Sequence, residues 1–512
     1  MKKLTEYFTY KEVMKEFEWS LLWDLFDGDK KNMNISHECL DRHVDKGTAV
    51  RLKFADGHME RYTFKELSQW TSRFANYLEN QGVEAGDRVC VMLEPSLAYY
   101  TCVFGAVKRG AIAVPLFTLF GPEALAQRIN DCDPRILVLH PEKASLGAAF
   151  HGLKVLISGP KLFKEMEKES TSYKPETKTN DLAIFQYTSG TTREFPEAIK
   201  HTHRSVVTLA LAALFGLGLR EGDRYFCPSS PAWGHGMWHG TISPWSLGIS
   251  AGHYSGKFNS QKILEALEEF EITNFAAAAT VYRMLIKSGL MDNYRYNIQK
   301  LSFTGEPLDS ATEDLIMERF GVPICSMYGT TETGVILASY PGFKDFHVKR
   351  GSLGKPVPGW EVAIIHDKGE VVPPGTLGEI AVKRRGEWFR SKDAGIMDED
   401  GYFRHKGRSD DVIISAGWTI SAVEVEDTLL KHPDIQEAAV IGVSDELRGH
   451  IVKAFLVGRR KGKAFEDELR DFIKTRLSAH EYPRAIEFVK EIPKTPAGKV
   501  NRKALRKIYI NG

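Results

Sequence analysis

Tyr187-Thr188-Ser189-Gly190-Thr191-Thr192-Arg193-Glu194-Phe195-Pro196-Glu197-Ala198-Ile199-Lys200-His201-Thr202-His203 follows a short apolar run, Leu182-Ala183-Ile184-Phe185, of the kind that forms a buried strand. Thr188, Ser189, Gly190, Thr191 and Thr192 put four hydroxyls and a glycine into five positions. A packed core has no use for that composition. A loop that wraps a polyanion does, because hydroxyls and free backbone N–H groups donate to phosphate oxygens.

Upstream the chain alternates. Apolar residues over 88–93 predict a strand, and helical spacing over 95–108 that stops at Arg109-Gly110 predicts a helix. Residues 111–117, 122–132 and 135–140 read as strand, helix and strand. Alternation of this length predicts an α/β fold with parallel sheet and helices on its faces. Residues 1–45, with Trp19, Trp23 and Phe26 among charges, are expected to form an extended wrap around the main body.

At 512 residues the chain exceeds what one compact core holds, so at least two domains are expected. Apolar content of 43% and charged content of 26% are ordinary for a globular protein, and a net charge of +1 gives no footing for nucleic acid or an anionic membrane. Met1-Lys2-Lys3-Leu4 leads into no apolar signal core, and no apolar run reaches the ~18 residues of a membrane span, so a cytoplasmic location is expected. Cys39, Cys90, Cys102, Cys132, Cys227 and Cys325 are dispersed without a CxxC pair, which predicts reduced, mostly buried thiols.

Downstream, the segment over 228–240 holds Trp233, Gly234, His235, Gly236, Trp238, His239 and Gly240, a composition poor for a helix interior. It reads as an aromatic loop or the floor of a pocket. His235 and His239 at i, i+4 would share a helix face as metal ligands, but the glycines argue against a helix and no acidic partner is near. A strand then runs into Gly305-Glu306-Pro307, a sharp turn at a strand's C-terminal end, where open α/β sheets bind ligands. The strand over 322–327 ends at Tyr328-Gly329-Thr330-Thr331-Glu332. There an aromatic ring can stack on a base, a hydroxyl can reach a phosphate and a carboxylate can hold Mg²⁺. Gly/Pro turns over 351–406 predict a small β-subdomain, and 411–512 reads as a small α+β domain.

These motifs resemble those of the adenylate-forming (AMP-binding) superfamily, and most closely the branch of acetyl-CoA and medium-chain acyl-CoA synthetases. The hydroxyl-rich loop resembles the family's phosphate loop with two departures: Arg193-Glu194-Phe195 is one residue longer, and Glu197 stands where the family has lysine. The resemblance covers roughly residues 20–505. It implies a large N-terminal domain of α/β sheets with a β-subdomain, 1–409, and a mobile C-terminal lid, 410–512.

The residue roles implied are specific. Thr188, Ser189, Gly190, Thr191, Thr192 and Arg193 would hold phosphates; Gly305, Glu306, Pro307 and Tyr328 would meet adenine. Asp393, in Ser391-Lys392-Asp393 where the family has Thr-Gly-Asp, would meet the ribose hydroxyls, and Arg408, in Gly407-Arg408-Ser409-Asp410-Asp411, ribose or phosphate. Lys499, in the closing Pro493-Lys494-Thr495-Pro496-Ala497-Gly498-Lys499, would bridge carboxylate and α-phosphate, a mobile cation stabilising developing charge. Thr331 and Glu332 would act beside it, Glu332 as the Mg²⁺ ligand. Asp410 would be the hinge, Gly417 would line the coenzyme A tunnel, and Trp233, Gly234, His235 and Gly329 would line the acyl pocket. Acetate-specific members have a Trp pair at Tyr328-Gly329, so a glycine there implies a larger acid, medium-chain or aromatic. The reaction implied joins a carboxylic acid to ATP, giving acyl-AMP and pyrophosphate, and then passes the acyl group to coenzyme A. Delivery to a carrier protein, and a non-catalytic adenylate binder with an altered loop, are the alternatives.

Overall fold

Helix ends in the protein follow local chemistry. Ser96 Oγ accepts from Tyr99 N at 3.2 Å to start the helix Leu97–Arg109, and Gly110 ends it at φ 87°. Thr63 and Glu66 form a capping box on the helix Phe64–Asn80. The structure is a computed structural model describing residues 2–187, 197–306, 308–330, 333–408, 412–415, 418–445, 449–477, 482–494 and 500–509. Its contacts group into two units, residues 1–350 with 357–359, and residues 351–356 with 360–512.

The first unit contains β1 (Thr48–Phe54), β2 (Met59–Thr63), β3 (Arg88–Met92), β4 (Ile112–Pro115), β5 (Ile136–Leu139), β6 (Lys154–Ile157), β7 (Leu182–Gln186), β8 (Ile199–Thr202), β9 (Tyr225–Phe226), β10 (Ala251–Ser255), β11 (Asn274–Ala278), β12 (Lys300–Thr304), β13 (Ile324–Thr330) and β14 (Gly334–Ala338). One sheet has the order β6-β5-β3-β4-β7-β8, parallel except at β7–β8. The other runs β14-β13-β12-β11-β9-β10-β1-β2, parallel from β13 to β1 and antiparallel at both ends. The α/β expectation holds, and the helix Pro122–Cys132 falls where its spacing predicts.

Residues 1–45 do lie against this unit, but as short helical turns, Leu4–Glu6, Tyr10–Glu16 and Trp19–Leu25, where an extended wrap was expected. Val13, Leu21, Leu22 and Leu25 are buried, so helical spacing gives the segment an apolar face. Asp345 caps it, accepting from Tyr10 N at 2.5 Å and Lys11 N at 3.0 Å.

The second unit contains β15 (Lys355–Pro356), β16 (Val362–Ile365), β17 (Gly378–Arg384), β18 (Glu387–Met397), β19 (Phe403–Arg408), β20 (Val412–Ser415), β21 (Trp418–Ser421), β22 (Ile435–Asp445), β23 (Gly449–Gly458) and β24 (Ala485–Phe488). β16 to β19 form an antiparallel sheet in chain order, the expected β-subdomain. β21-β20-β23-β22, with β24 beside β23, carries the helices Ala422–Leu429 and Lys463–Arg476 over Val425, Leu429, Val440, Phe465, Leu469 and Ile473. Among the described residues no helix is long and apolar enough to cross a membrane.

A final helix, Arg502–Tyr509, is tied down by charge. Arg502 Nη2 meets Glu426 Oε1 at 2.7 Å and Oε2 at 2.5 Å, and Glu426 Oε1 also accepts from Val440 N at 2.7 Å. Burial pushes the Glu426 carboxyl up to about 7, with Arg502 acting against it. Removing the arginine would leave that carboxyl buried without its cation. Arg502→Met is therefore expected to destabilise this unit by ~3–5 kcal/mol at pH 8, read from urea unfolding. A loss under ~1 kcal/mol would show the pair to be dispensable.

Candidate functional site

Parallel register brings three strand ends to one edge of the first unit. Ala278 of β11 lies opposite Thr304 of β12, and Phe303 of β12 opposite Ser326 of β13. Beyond β12, Gly305 takes φ 92°, a left-handed conformation that favours glycine. Among the described residues a Cβ there would meet nothing within 4 Å, so backbone shape selects the glycine and crowding does not. Glu306 is then held from the helix Ala279–Lys287: its Oε1 accepts from Thr280 Oγ1 and lies 3.2 Å from Arg283 Nη1. The turn is thus set by backbone and charge together. Pro307 lies outside the described residues.

β13 extends through Thr330, further than its apolar run predicts, because Tyr328, Gly329 and Thr330 pair with Leu337, Val335 and Gly334 of β14. Thr331 and Glu332 lie outside the described residues. The reading of Gly329 as missing bulk needs correcting. A Cβ at Gly329 would meet the Gly334 carbonyl oxygen at 1.9 Å, so this glycine is required by close approach of two strands and has no side-chain space to give up.

The segment around Gly234 also departs from expectation. Residues His235–Ile242 form a π-helix that continues into Ser243–Ser246, although their glycines predict none. The glycines are what let it pack: a Cβ at Gly236 would lie 2.2 Å from the Ser230 carbonyl oxygen, and one at Gly240 3.1 Å from Cys227 Sγ. Tertiary contact overrides propensity here. The helix puts the His235 and His239 rings 5.8 Å apart, but burial holds them neutral, pushed down to about 4 and about 3. His235 Nδ1 shares a hydrogen bond with Ser229 Oγ at 2.8 Å. Among the described residues no three His, Cys, Asp or Glu side chains are grouped to hold a metal ion.

Sequence reading missed Gln186, the last residue of β7. Its Oε1 accepts from Trp238 Nε1 at 2.8 Å, and its Nε2 donates to Ala232 O at 3.3 Å. The His201 ring lies 4.5 Å from that of Trp238. Among the described residues a Cβ at Gly234 would meet only Gln186 Oε1, at 3.7 Å. Trp233 beside it is 37% exposed. A glutamine closing an apolar strand run, just before the hydroxyl-rich segment, was the available signal.

Thr188, Ser189, Gly190, Thr191, Thr192 and Arg193 lie outside the described residues, but both flanks of their segment are visible. Tyr187 OH donates to Asp131 Oδ2 at 2.7 Å and to Arg128 O at 3.1 Å, and Ala198 N donates to the same Asp131 oxygen at 3.4 Å. Lys200 is exposed, its Nζ 5.4 Å from the Phe185 ring centroid.

In the second unit a bulge aims Asp393. Ser391 Oγ donates to Ile380 O at 2.7 Å and accepts from Asp393 N at 3.1 Å, while Lys392 N donates to Glu379 Oε1 at 2.7 Å. Lys392 takes φ 63°, so the position before the aspartate demands the left-handed backbone that the family's glycine supplies, and lysine adopts it at a steric cost. Asp393 pairs with Arg408 across β18–β19, joining two motifs distant in sequence, and His405 Nε2 is 3.6 Å from Asp393 Oδ1. Asp410, Gly417 and Lys499 lie outside the described residues.

Residues 39–387 match the family model for the AMP-binding enzyme, and 424–499 that for the AMP-binding enzyme C-terminal domain. The chain belongs to the AMP-binding enzymes. It is 32% identical to acetyl-coenzyme A synthetase of Bacillus subtilis (strain 168), over 98% of this chain and 95% of that one. It is 33% identical to the mitochondrial acyl-coenzyme A synthetase ACSM3 of Rattus norvegicus, over 93% and 90%. Among solved structures it resembles the anthranilate CoA ligase AuaEII in complex with anthranoyl-AMP, with a TM-score of 0.82 and 29% identity, covering 96% of this chain and 99% of that one.

The two glycines separate experimentally. Gly329→Ala is expected to lower Tm by several degrees through the clash with Gly334, whereas Gly234→Ala should leave Tm unchanged, both read by thermal unfolding. Equal Tm values for both variants and the parent would contradict the hairpin geometry.

Proposed function

We propose that this ATP-dependent acyl-CoA synthetase, an AMP-forming acid–thiol ligase, takes an acid larger than acetate, medium-chain or aromatic. The observation that carries the size preference is the space at Gly234, where among the described residues a Cβ would meet only Gln186 Oε1, itself held by Trp238 Nε1. Each further buried CH₂ contributes ~0.8 kcal/mol until that space is full. Gly234→Leu is expected to lower kcat/KM for hexanoate at least about tenfold relative to acetate, since displacing two methylenes costs ~1.6 kcal/mol. Pyrophosphate release measured across acetate, hexanoate, octanoate and benzoate tests the preference. Best turnover of the parent protein with acetate would overturn it. The same assay with and without coenzyme A separates thioester synthesis from delivery to a carrier, and no pyrophosphate with any acid would favour a non-catalytic binder.

The proposed division of labour follows the resemblance. ATP phosphates meet Thr188 to Thr192 and Arg193; the base lies against Gly305, Glu306, Pro307 and Tyr328; Asp393 and Arg408 meet ribose; Mg²⁺ is held by Glu332. Support for the nucleotide edge is the Glu306 turn described above, and for the ribose contact the register that sets Asp393 opposite Arg408. Residues 410–512 would act as the lid, swinging about Asp410 and bringing Gly417 to the pantetheine. Their own apolar cluster, running from Ile413 to Ile473, supports independent movement. A cytoplasmic location accords with the chemistry, since ATP and coenzyme A are the co-substrates.

Lys499 on that lid would serve adenylation alone. Lys499→Ala is then expected to abolish pyrophosphate release, by about 100-fold or more, while supplied acyl-AMP still yields acyl-CoA at near the normal rate. Equal loss in both half-reactions would contradict the two-conformation reading. Arg193 is proposed as the cation replacing the loop lysine, because the exposed Lys200 sits by Phe185 on the neighbouring strand. Arg193→Ala should lower kcat/KM for ATP roughly ten- to a hundredfold, and Lys200→Ala should not; the reverse pattern would transfer the role to Lys200.

A further inference from the structure

Cys90 on β3 and Cys132, the last residue of the helix Pro122–Cys132, hold their Sγ atoms 3.5 Å apart. Both are buried in the cluster of Met92, Leu125, Ile129, Phe185, Tyr187 and Ala198, and neither is bonded to another cysteine. Two thiols in contact, on different elements, need only about 1.5 Å of approach to reach a disulfide bond length. The cysteines elsewhere have no such neighbour among the described contacts: Cys39 and Cys325 each face a backbone carbonyl, and Cys227 faces His235.

What gives the pair consequence is the residue before Cys132. Asp131 is the carboxylate that receives both Tyr187 OH and Ala198 N, the two flanks of the hydroxyl-rich segment. Arg88, on the same strand as Cys90, donates through Nε to Cys132 O at 2.6 Å and through Nη2 to Asp133 O, so the helix end is already moored to β3. Any movement of Cys132 towards Cys90 pulls Asp131 with it. Asp133, Pro134, Arg88 and Arg135 line a surface cavity of about 490 Å³ beside this helix end. The hydrogen bond with Cys90 holds the Cys132 thiol below its ordinary range, with burial acting against it, whereas burial pushes Cys90 up. Cys132, 4% exposed where Cys90 is fully enclosed, is the thiol a small oxidant reaches first.

We propose that Cys90 and Cys132 are a peroxide-oxidisable pair whose disulfide displaces the Asp131 clamp on Tyr187 and Ala198 and so weakens productive ATP binding; the ATP part rests on the assignment of the hydroxyl-rich segment to phosphate. The Cys132 thiolate attacks one oxygen of hydrogen peroxide, the O–O bond breaks, and the departing hydroxide takes a proton to become water. Cys90 sulfur then attacks the Cys132 sulfenic acid, the S–O bond breaks, and the Cys90 proton leaves with the hydroxide as a second water. Two thiols and one peroxide thus give one disulfide and two waters. A dithiol reductant reverses the step by exchange.

The test treats the full-length enzyme with hydrogen peroxide, alkylates free thiols, and maps cross-linked peptides by mass spectrometry beside ATP-dependent pyrophosphate release. The expected result is a Cys90–Cys132 cross-link, a KM for ATP raised at least about fivefold, recovery with dithiothreitol, and unchanged conversion of supplied acyl-AMP with coenzyme A. Cys90→Ala and Cys132→Ala, made separately so that one folding failure does not end the test, should both resist the peroxide effect. Absence of the cross-link overturns the proposal, as does a cross-link that leaves ATP kinetics unchanged in an enzyme whose Thr191→Val variant is impaired towards ATP. If the cross-link forms and neither it nor Thr191→Val alters ATP kinetics, the phosphate assignment fails and the proposed consequence falls with it.

Discussion

Parallel pairing of β11, β12 and β13 is the constraint on which the edge carrying Gly305, Glu306 and Tyr328 depends. A parallel ladder with Ala278 opposite Thr304, and Phe303 opposite Ser326, obliges β11 and β12 to leave the sheet at the same level, while β13 runs on through Thr330 by pairing with β14. The helix after β11 then starts beside the turn after β12, which is why Thr280 and Arg283 can hold Glu306. A shift of one residue in that register would reverse the facing of every side chain in the strand and separate these partners. The chemistry at the edge is therefore a consequence of backbone hydrogen bonding far more than of any local preference in the Gly-Glu-Pro turn.

Much of this was legible in the sequence, for identifiable reasons. The strand at residues 88–92 and the helices at 97–109 and 122–132 carry strong periodicity and plain stop signals, and they formed within a residue or two of expectation. Gly305 was legible because a left-handed turn needs no partner to be recognised. Gly329 and the glycines of the π-helix were misread for the opposite reason. Their necessity comes from Gly334, Ser230 and Cys227, residues that sequence spacing does not mark as neighbours. Gln186 was overlooked because its importance lies in Trp238 and Ala232, some fifty residues on, each separation set by the fold.

The second unit shows how a departure in sequence can be read physically. Lys392 stands where the family has glycine, and its φ of 63° shows the conformation itself retained. The hydrogen bonds of Ser391 and Glu379 fix the bulge around it, so the backbone is over-determined by its surroundings and the side chain tolerates the strain. What the bulge secures is the position of Asp393 against Arg408 and His405. The motif's constraint is thus on backbone shape and on the carboxylate, and the glycine is one way among others of meeting it.

Strand β7 joins these themes through the alternation of its side chains. Phe185 and Tyr187 belong to one face, in the cluster with Leu125, Ile129 and Cys132, where Tyr187 OH reaches Asp131. Gln186 belongs to the other face and binds Trp238 of the π-helix. Consecutive residues therefore serve different neighbours, one moored to a helix end and the other forming the wall opposite Gly234. The two hydrogen bonds thus hold adjacent residues of one strand from opposite faces. β7 also pairs with β8, with Gln186 opposite Ile199, next to Ala198 on the other flank of the hydroxyl-rich segment. The flanks of the hydroxyl-rich segment are thus coupled twice, through the sheet and through a single carboxylate.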